Sequence, residues 1–285
     1  MAKQDEKRRA GTTVDLDGEN VHWDQEMSYG QYLNLEPLLA CQRPQSDEHD
    51  EMLFIVIHQV SELWLKQCLH EAHAAAAHIA EDRLRPAFKM LSRVARIQEQ
   101  MIKAWEVLIT MTPADYVSFR DSLGQSSGFQ SYQYRELEFL LGNKNAAMVE
   151  VHRGHPRHYE RLTEVLQAPS IYDISLQLLA RHGFAIPATT LQRDWSLPYR
   201  ASSEVEQAWA HIYRHTDEHW ELYELAEKLV DLEYNFHKWR FIHMKTVERI
   251  IGHKRGTGGT AGVSYLARAL ELQFFPELWS VRTAM

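Results

Sequence analysis

Cysteine is nearly absent from this chain: Cys41 and Cys68 are the only two in 285 residues. That is too few for a disulfide framework, and the spacing fits no paired zinc or redox motif, so a reducing, cytoplasmic setting is expected. Positive charge is also short, with 31 Lys and Arg against 39 Asp and Glu and a net charge of −8 at pH 7. This is the wrong sign for neutralising phosphates, which argues against nucleic acid as a partner. Long apolar runs are missing: the longest stretch without Asp, Glu, Lys or Arg covers 13 residues, 122–134, against the roughly 20 apolar residues that a membrane helix needs. No membrane association is expected. The first 20 residues carry charges but no apolar segment, so they read as a disordered, solvated tail rather than a secretory signal. Gly and Pro are scarce, at 13 and 9, which favours long helices.

What is present is helical periodicity. Over residues 50–80 the sequence has neither Gly nor Pro, and Leu53, Ile57, Val60 and Trp64 recur at steps of four, three and four, as on one face of a buried helix. Residues 85–108 repeat the pattern through Phe88, Leu91, Val94, Ile97, Met101, Trp105 and Leu108. Thr112 before Pro113 reads as the N-cap of a short helix carrying Tyr116 and Arg120. A further helix is expected over 129–141, ended by Gly142-Asn143, and shorter ones over 159–166 and 170–182. Residues 204–251 again lack Gly and Pro. A seam runs there through Leu222, Leu225, Leu229, Leu232, Phe236, Trp239, His243, Val247 and Ile250, spaced as in a helix bundle. No alternating run supports a sheet, so residues 21–285 read as a single all-α domain, a helical bundle.

The chain contains 16 His and 8 Trp. His70 and His73 read as surface or capping groups, as do His215 and His219, which fall four apart on one expected helix face. His152, His155 and His158 fall in a polar stretch that reads as a loop. His58 and His243 differ in lying on apolar faces of long helices, where each is either a satisfied core residue or a ligand. Two imidazoles on separate helices could face the two sides of a haem. Tyr116 and Arg120 share a helix face; their pairing could clamp a carboxylate, or Arg120 could sit in a surface ion pair. The loop GHKRGTGGTAG, residues 252–262, formally matches a dinucleotide fingerprint, but it follows a helix and no βαβ unit surrounds it. It is either a plain connector or a flexible segment whose backbone N–H groups, Thr257 and Thr260 suit a small anion.

Five blocks carry a closer resemblance: YGQYLNLEPLL (29–39), HDEMLFIVIHQVSELWLK (49–66), FRDSLGQSSGFQSYQYRELEFLLGNKN (119–145), WRFIHMKTVERIIGHKRGTGGTAGVSYL (239–266) and FFPELW (274–279). In these the chain resembles tryptophan 2,3-dioxygenase in its bacterial form. The resemblance implies a cytoplasmic, homotetrameric haem enzyme that inserts both atoms of O2 across the indole C2–C3 bond of L-tryptophan. The product is N-formyl-L-kynurenine, in the first step of the kynurenine pathway. It implies one ferrous haem b per subunit, with His243 as the proximal iron ligand and His58 as the distal catalytic histidine. It assigns Arg120, Tyr116 and Thr257 to the amino-acid end of the substrate, Phe54 to the indole, and Ser127 and Gly128 to the distal pocket. Trp105 and Tyr134 would line the haem, and Tyr29, Tyr32 and Leu33 would reach in from a neighbouring subunit. A broader indoleamine 2,3-dioxygenase-like enzyme and a non-catalytic haem-binding sensor remain as alternatives.

Overall fold

A computed structural model of the chain describes residues 12–23, 27–259 and 261–285. The chain divides into two compact units, Met1–Pro44 and Gln45–Met285. In the first, β1 (Thr12–Leu16) pairs antiparallel with β2 (Glu19–Trp23), and two short helices follow, α1 (Tyr29–Leu33) and α2 (Leu35–Leu39). The hairpin corrects both the expected absence of strands and the disordered tail over residues 12–20; residues 1–11 lie outside the described residues. Its cause is local. Asp17 and Gly18 form a two-residue turn with φ of 49° and 93°, the left-handed pair that matches the twist of flanking strands, and the Gly18 N–H donates to Asp15 Oδ1.

The second unit is built on three long helices. α3 (His49–Ala80) and α4 (Leu84–Leu108) form a hairpin around Asp82, and α4 packs against α12 (Trp220–Ile251). Between them lie α5 (Pro113–Arg120), α6 (Tyr132–Leu141), α7 (Ala147–Glu150), α8 (Pro156–Gln167), α9 (Ile171–Arg181), α10 (Ala188–Leu191) and α11 (Ser203–Arg214). α13 (Val263–Ala269) and α14 (Pro276–Ala284) close the chain. The all-α class read from periodicity holds. The seam on α12 is buried from Leu222 to Phe236, and Thr112 caps α5 in a reciprocal box with Asp115, with Pro113 in the first turn. Among the described residues no helix is long and apolar enough to cross a membrane.

Three local readings change. Residues 204–251 break between α11 and α12, so His215 and His219 occupy a turn rather than one helix face. The polar run 214–219 offers no apolar residue to either side of the seam, and the backbone turns tightly, with the Glu218 and His219 N–H groups donating to the His215 carbonyl. The helix expected from 129 begins at Tyr132, because Ser131 caps it and Gly128–Gln130 forms a separate 3-10 turn. His73 is not a free surface group: its Nε2 lies 2.7 Å from the buried Glu136 carboxylate, which also accepts from Arg161 at 2.6 Å.

Burial pushes the Glu136 carboxyl up, but the bonds from His73 and Arg161 outweigh it and hold the group below the ordinary 4.5. A lowered carboxylate stabilises the fold above 4.5 and loses that contribution as pH falls through the folded value. Glu136→Gln should therefore cost about 1–2 kcal/mol at pH 7, discounted for the half-exposed Arg161. The gap from the parent chain should close below 4.5, as read by denaturant unfolding at the two pH values.

Candidate functional site

A cavity of about 960 Å3 opens inside the second unit, at the upper end of the size range for small-molecule sites. Its walls come from α3, α4, α5, α6, α12 and the loops that join them, and they include Phe54, His58, Trp105, Tyr116, Tyr134 and His243. Ser127, Gly128 and Thr257 also line it. The structure thus gathers nine of the residues singled out from sequence around one space.

Their rings form a continuous chain. Phe54 lies 4.2 Å from His58 and 6.0 Å from Tyr116; Trp105 meets His58 edge-on at 6.1 Å and stacks on His243 at 4.7 Å with a 19° tilt. Trp239 lies 5.3 Å from His243 and 5.3 Å from Tyr134. Trp105 therefore stands between the two histidines, which project from different long helices.

Both imidazoles are held neutral. Burial pushes His58 down, and this outweighs the opposing effects of the Phe54 carbonyl and Glu62. His58 Nδ1 lies 2.7 Å from the Phe54 carbonyl one turn earlier. A carbonyl can only accept, so Nδ1 carries the proton and Nε2 keeps its lone pair. His243 is pushed down to about 4, first by burial and then by the proximity of His58. Among the described residues nothing hydrogen-bonds to either of its ring nitrogens.

Arg120 is placed differently from the rest. It ends α5 but does not line the cavity; its guanidinium donates to the Arg255 carbonyl at 2.7 Å. No carboxylate among the described residues pairs with it, so the surface ion pair left open by the sequence does not form. Burial raises the Tyr116 phenol, with the Arg120 charge pulling the other way. Thr257 Oγ1 donates to the Ser126 carbonyl at 2.5 Å, and Thr260 lies outside the described residues. Tyr29, Tyr32 and Leu33 sit on α1 of the first unit, with Tyr29 75% and Tyr32 74% exposed.

Several residues bearing on this space escape a reading of periodicity. Arg135, on α6, lines the cavity with its Nε buried and without a partner, while its Nη1 pairs with Glu138. Arg240, one turn before His243, donates to the Tyr134 hydroxyl, to Glu138 and to the Ala269 carbonyl. It ties the helix of His243 to α6 and to the end of α13. The indole nitrogens of Trp105 and Trp239 are buried and unpartnered. The signal the sequence held is the i, i+3 spacing of opposite charges at Arg135 and Glu138; that both are buried comes from the fold.

The second unit is thus an all-α fold enclosing an aromatic cavity, with His58 and His243 on its walls from two different long helices. The family model described as tryptophan 2,3-dioxygenase matches residues 15–212 and 209–285, and the chain belongs to that family. It is 56% identical over 263 residues to tryptophan 2,3-dioxygenase 1 of Ralstonia nicotianae, covering 92% of this chain and 90% of that protein. It is 58% identical over 258 residues to tryptophan 2,3-dioxygenase of Bordetella parapertussis, covering 90% and 91%. For the enzyme of that name from Bacillus cereus the figures are 54% over 267 residues, covering 93% and 96%.

Proposed function

We propose that this chain is a haem-dependent dioxygenase that inserts both atoms of O2 across the indole C2–C3 bond of L-tryptophan, giving N-formyl-L-kynurenine. The observation that carries this reading is the pair of neutral imidazoles, His58 and His243, facing one aromatic cavity in a chain of this family. Neither a broader indoleamine specificity nor a haem sensor without turnover is favoured by that membership.

The residues fit the cofactor. No group of three or more His, Cys, Asp or Glu among the described residues could hold a metal by side chains alone, whereas a single neutral imidazole suffices for haem iron. His243 is that ligand in this reading, with Trp105 and Tyr134 against the ring. The unpartnered Arg135 Nε would meet one of its carboxylates. When bound, ferrous haem b, one per subunit, supplies the binding and activation of O2.

The protein's part is positioning and exclusion of water. His58 Nε2, with its lone pair free, accepts the indole N–H and fixes the ring, while Phe54 packs beside it. Ser127 and Gly128 bound the pocket, and Arg120, Tyr116 and Thr257 take the carboxylate and ammonium. The exposed Tyr29, Tyr32 and Leu33 support a homotetramer in which a neighbour's helix completes the site. Two free cysteines support a cytoplasmic setting.

A reconstituted sample should show a Soret band and, with L-tryptophan, ascorbate and air, growing formylkynurenine absorption; a Soret band without product would leave only the sensor. His58→Ala should slow turnover about tenfold, the worth of one neutral hydrogen bond, and not abolish it. An imidazole whose basicity is lowered by burial is too weak to remove an indole proton, so an orienting role is all it has to lose. A variant that binds haem and substrate normally yet has no turnover would make His58 an obligatory proton acceptor instead.

A further inference from the structure

We infer that Gly258 is a positioning residue for substrate binding: the absence of a side chain there lets residues 255–258 seat on the Ser126–Ser127 backbone, which sets Thr257 at the cavity wall and Arg120 beside the loop. The inference rests on the proposed function for what Thr257 and Arg120 hold, but the contact itself does not.

Two hydrogen bonds join these segments, from Arg120 to the Arg255 carbonyl at 2.7 Å and from Thr257 Oγ1 to the Ser126 carbonyl at 2.5 Å. Next to the second, Gly258 meets Ser127 so closely that a Cβ at 258 would fall 2.7 Å from Ser127 Cβ and 2.9 Å from its Oγ. Those separations lie well inside van der Waals contact. Ser127 cannot step aside at low cost, because it caps the 3-10 turn: its Oγ accepts from the Phe129 N–H and its own N–H donates to Gln130 Oε1.

Backbone conformation is not the reason for glycine here. Gly252, Gly259 and Gly262 have positive φ, whereas Gly258 does not, so alanine at 258 could adopt the backbone and would be excluded by Ser127 alone. That makes the requirement a property of the docked seam and not of the free loop.

The seam can be read without turnover, because Lys254 and Arg255 are exposed and trypsin cuts after either once the segment detaches. Gly258→Ala should be cut there about tenfold faster than the parent chain, an ordinary consequence of overpacking. The KM for L-tryptophan should rise about as much, with kcat changed far less, since only the grip on the amino-acid end is loosened. Gly258→Ala/Ser127→Gly, which removes both atoms in the way at a cap position that tolerates glycine, should restore slow cleavage. Parent-like proteolysis of the single variant, or fast cleavage that Ser127→Gly fails to reverse, overturns the inference. If the proteolysis pattern holds but L-tryptophan has no effect on any variant, the seam stands and the proposed substrate falls.

Discussion

His243→Ala should yield a folded chain that retains no haem and has no dioxygenase activity. The position lies in the interior of α12, where alanine has the best helix propensity, so the backbone should be unharmed. What is lost is the neutral imidazole that stacks on Trp105 at 4.7 Å and whose two ring nitrogens are both free of hydrogen-bond partners among the described residues. The remaining walls are aromatic and apolar; they shape a ring-sized space but offer iron no second nitrogen on that side. His58 is the other candidate, and it differs in a checkable way: its Nδ1 is committed to the Phe54 carbonyl, and it lies within a turn of the residues assigned to the indole. The expected pattern is therefore asymmetric, with no Soret band for His243→Ala and a normal band for His58→Ala. Helical circular dichroism should be unchanged in both. Free imidazole added to His243→Ala should recover part of the haem binding, since the cavity then has room for it. Normal haem content in His243→Ala, with loss in His58→Ala, would exchange the two assignments.

The parts of this site that periodicity exposes are those carried by single helices. His58 and His243 could be placed on apolar faces because α3 and α12 repeat their buried positions without interruption, and the α5 start was written in Thr112-Pro113-Ala114-Asp115. The hairpin of the first unit was also legible in principle. Asp17-Gly18, with Thr12, Thr13 and Val14 before it and Val21 after it, is a two-residue turn signal, but it sits in a short, charged segment. The break at residues 215–219 carried no Gly or Pro, and only the lack of apolar residues on the seam marked it. The seam around Gly258 was out of reach. Its bonds join residues 131 and 135 positions apart, and nothing in GTGGTAG says which of its glycines meets another segment and which merely turns. The same holds for Arg240, whose role depends on Tyr134 and Glu138 of α6 and on Ala269 of α13 arriving from two other places in the chain.

Arg120→Leu should raise the KM for L-tryptophan about a hundredfold while leaving haem content unchanged. A charge-assisted hydrogen bond to a carboxylate contributes about 1.5–3 kcal/mol, and a guanidinium can make two in parallel, so the loss of roughly 3 kcal/mol corresponds to two decades in affinity. Haem content should hold because Arg120 lies outside the cavity wall and no described carboxylate depends on it for charge balance. The structure adds a competing term: the guanidinium already donates to the Arg255 carbonyl, so a substrate carboxylate gains only the difference between an anionic acceptor and a neutral one for that nitrogen. Charge-assisted bonds are roughly twice as strong as neutral ones, so the exchange still favours the substrate. Arg120→Lys should fall between the two, keeping the charge but not the planar fork. An indole without the amino-acid group, such as 3-methylindole, should bind the parent and Arg120→Leu alike. If its affinity fell in step with that of L-tryptophan, the effect would come from a disturbed pocket and Arg120 would not be the carboxylate's partner.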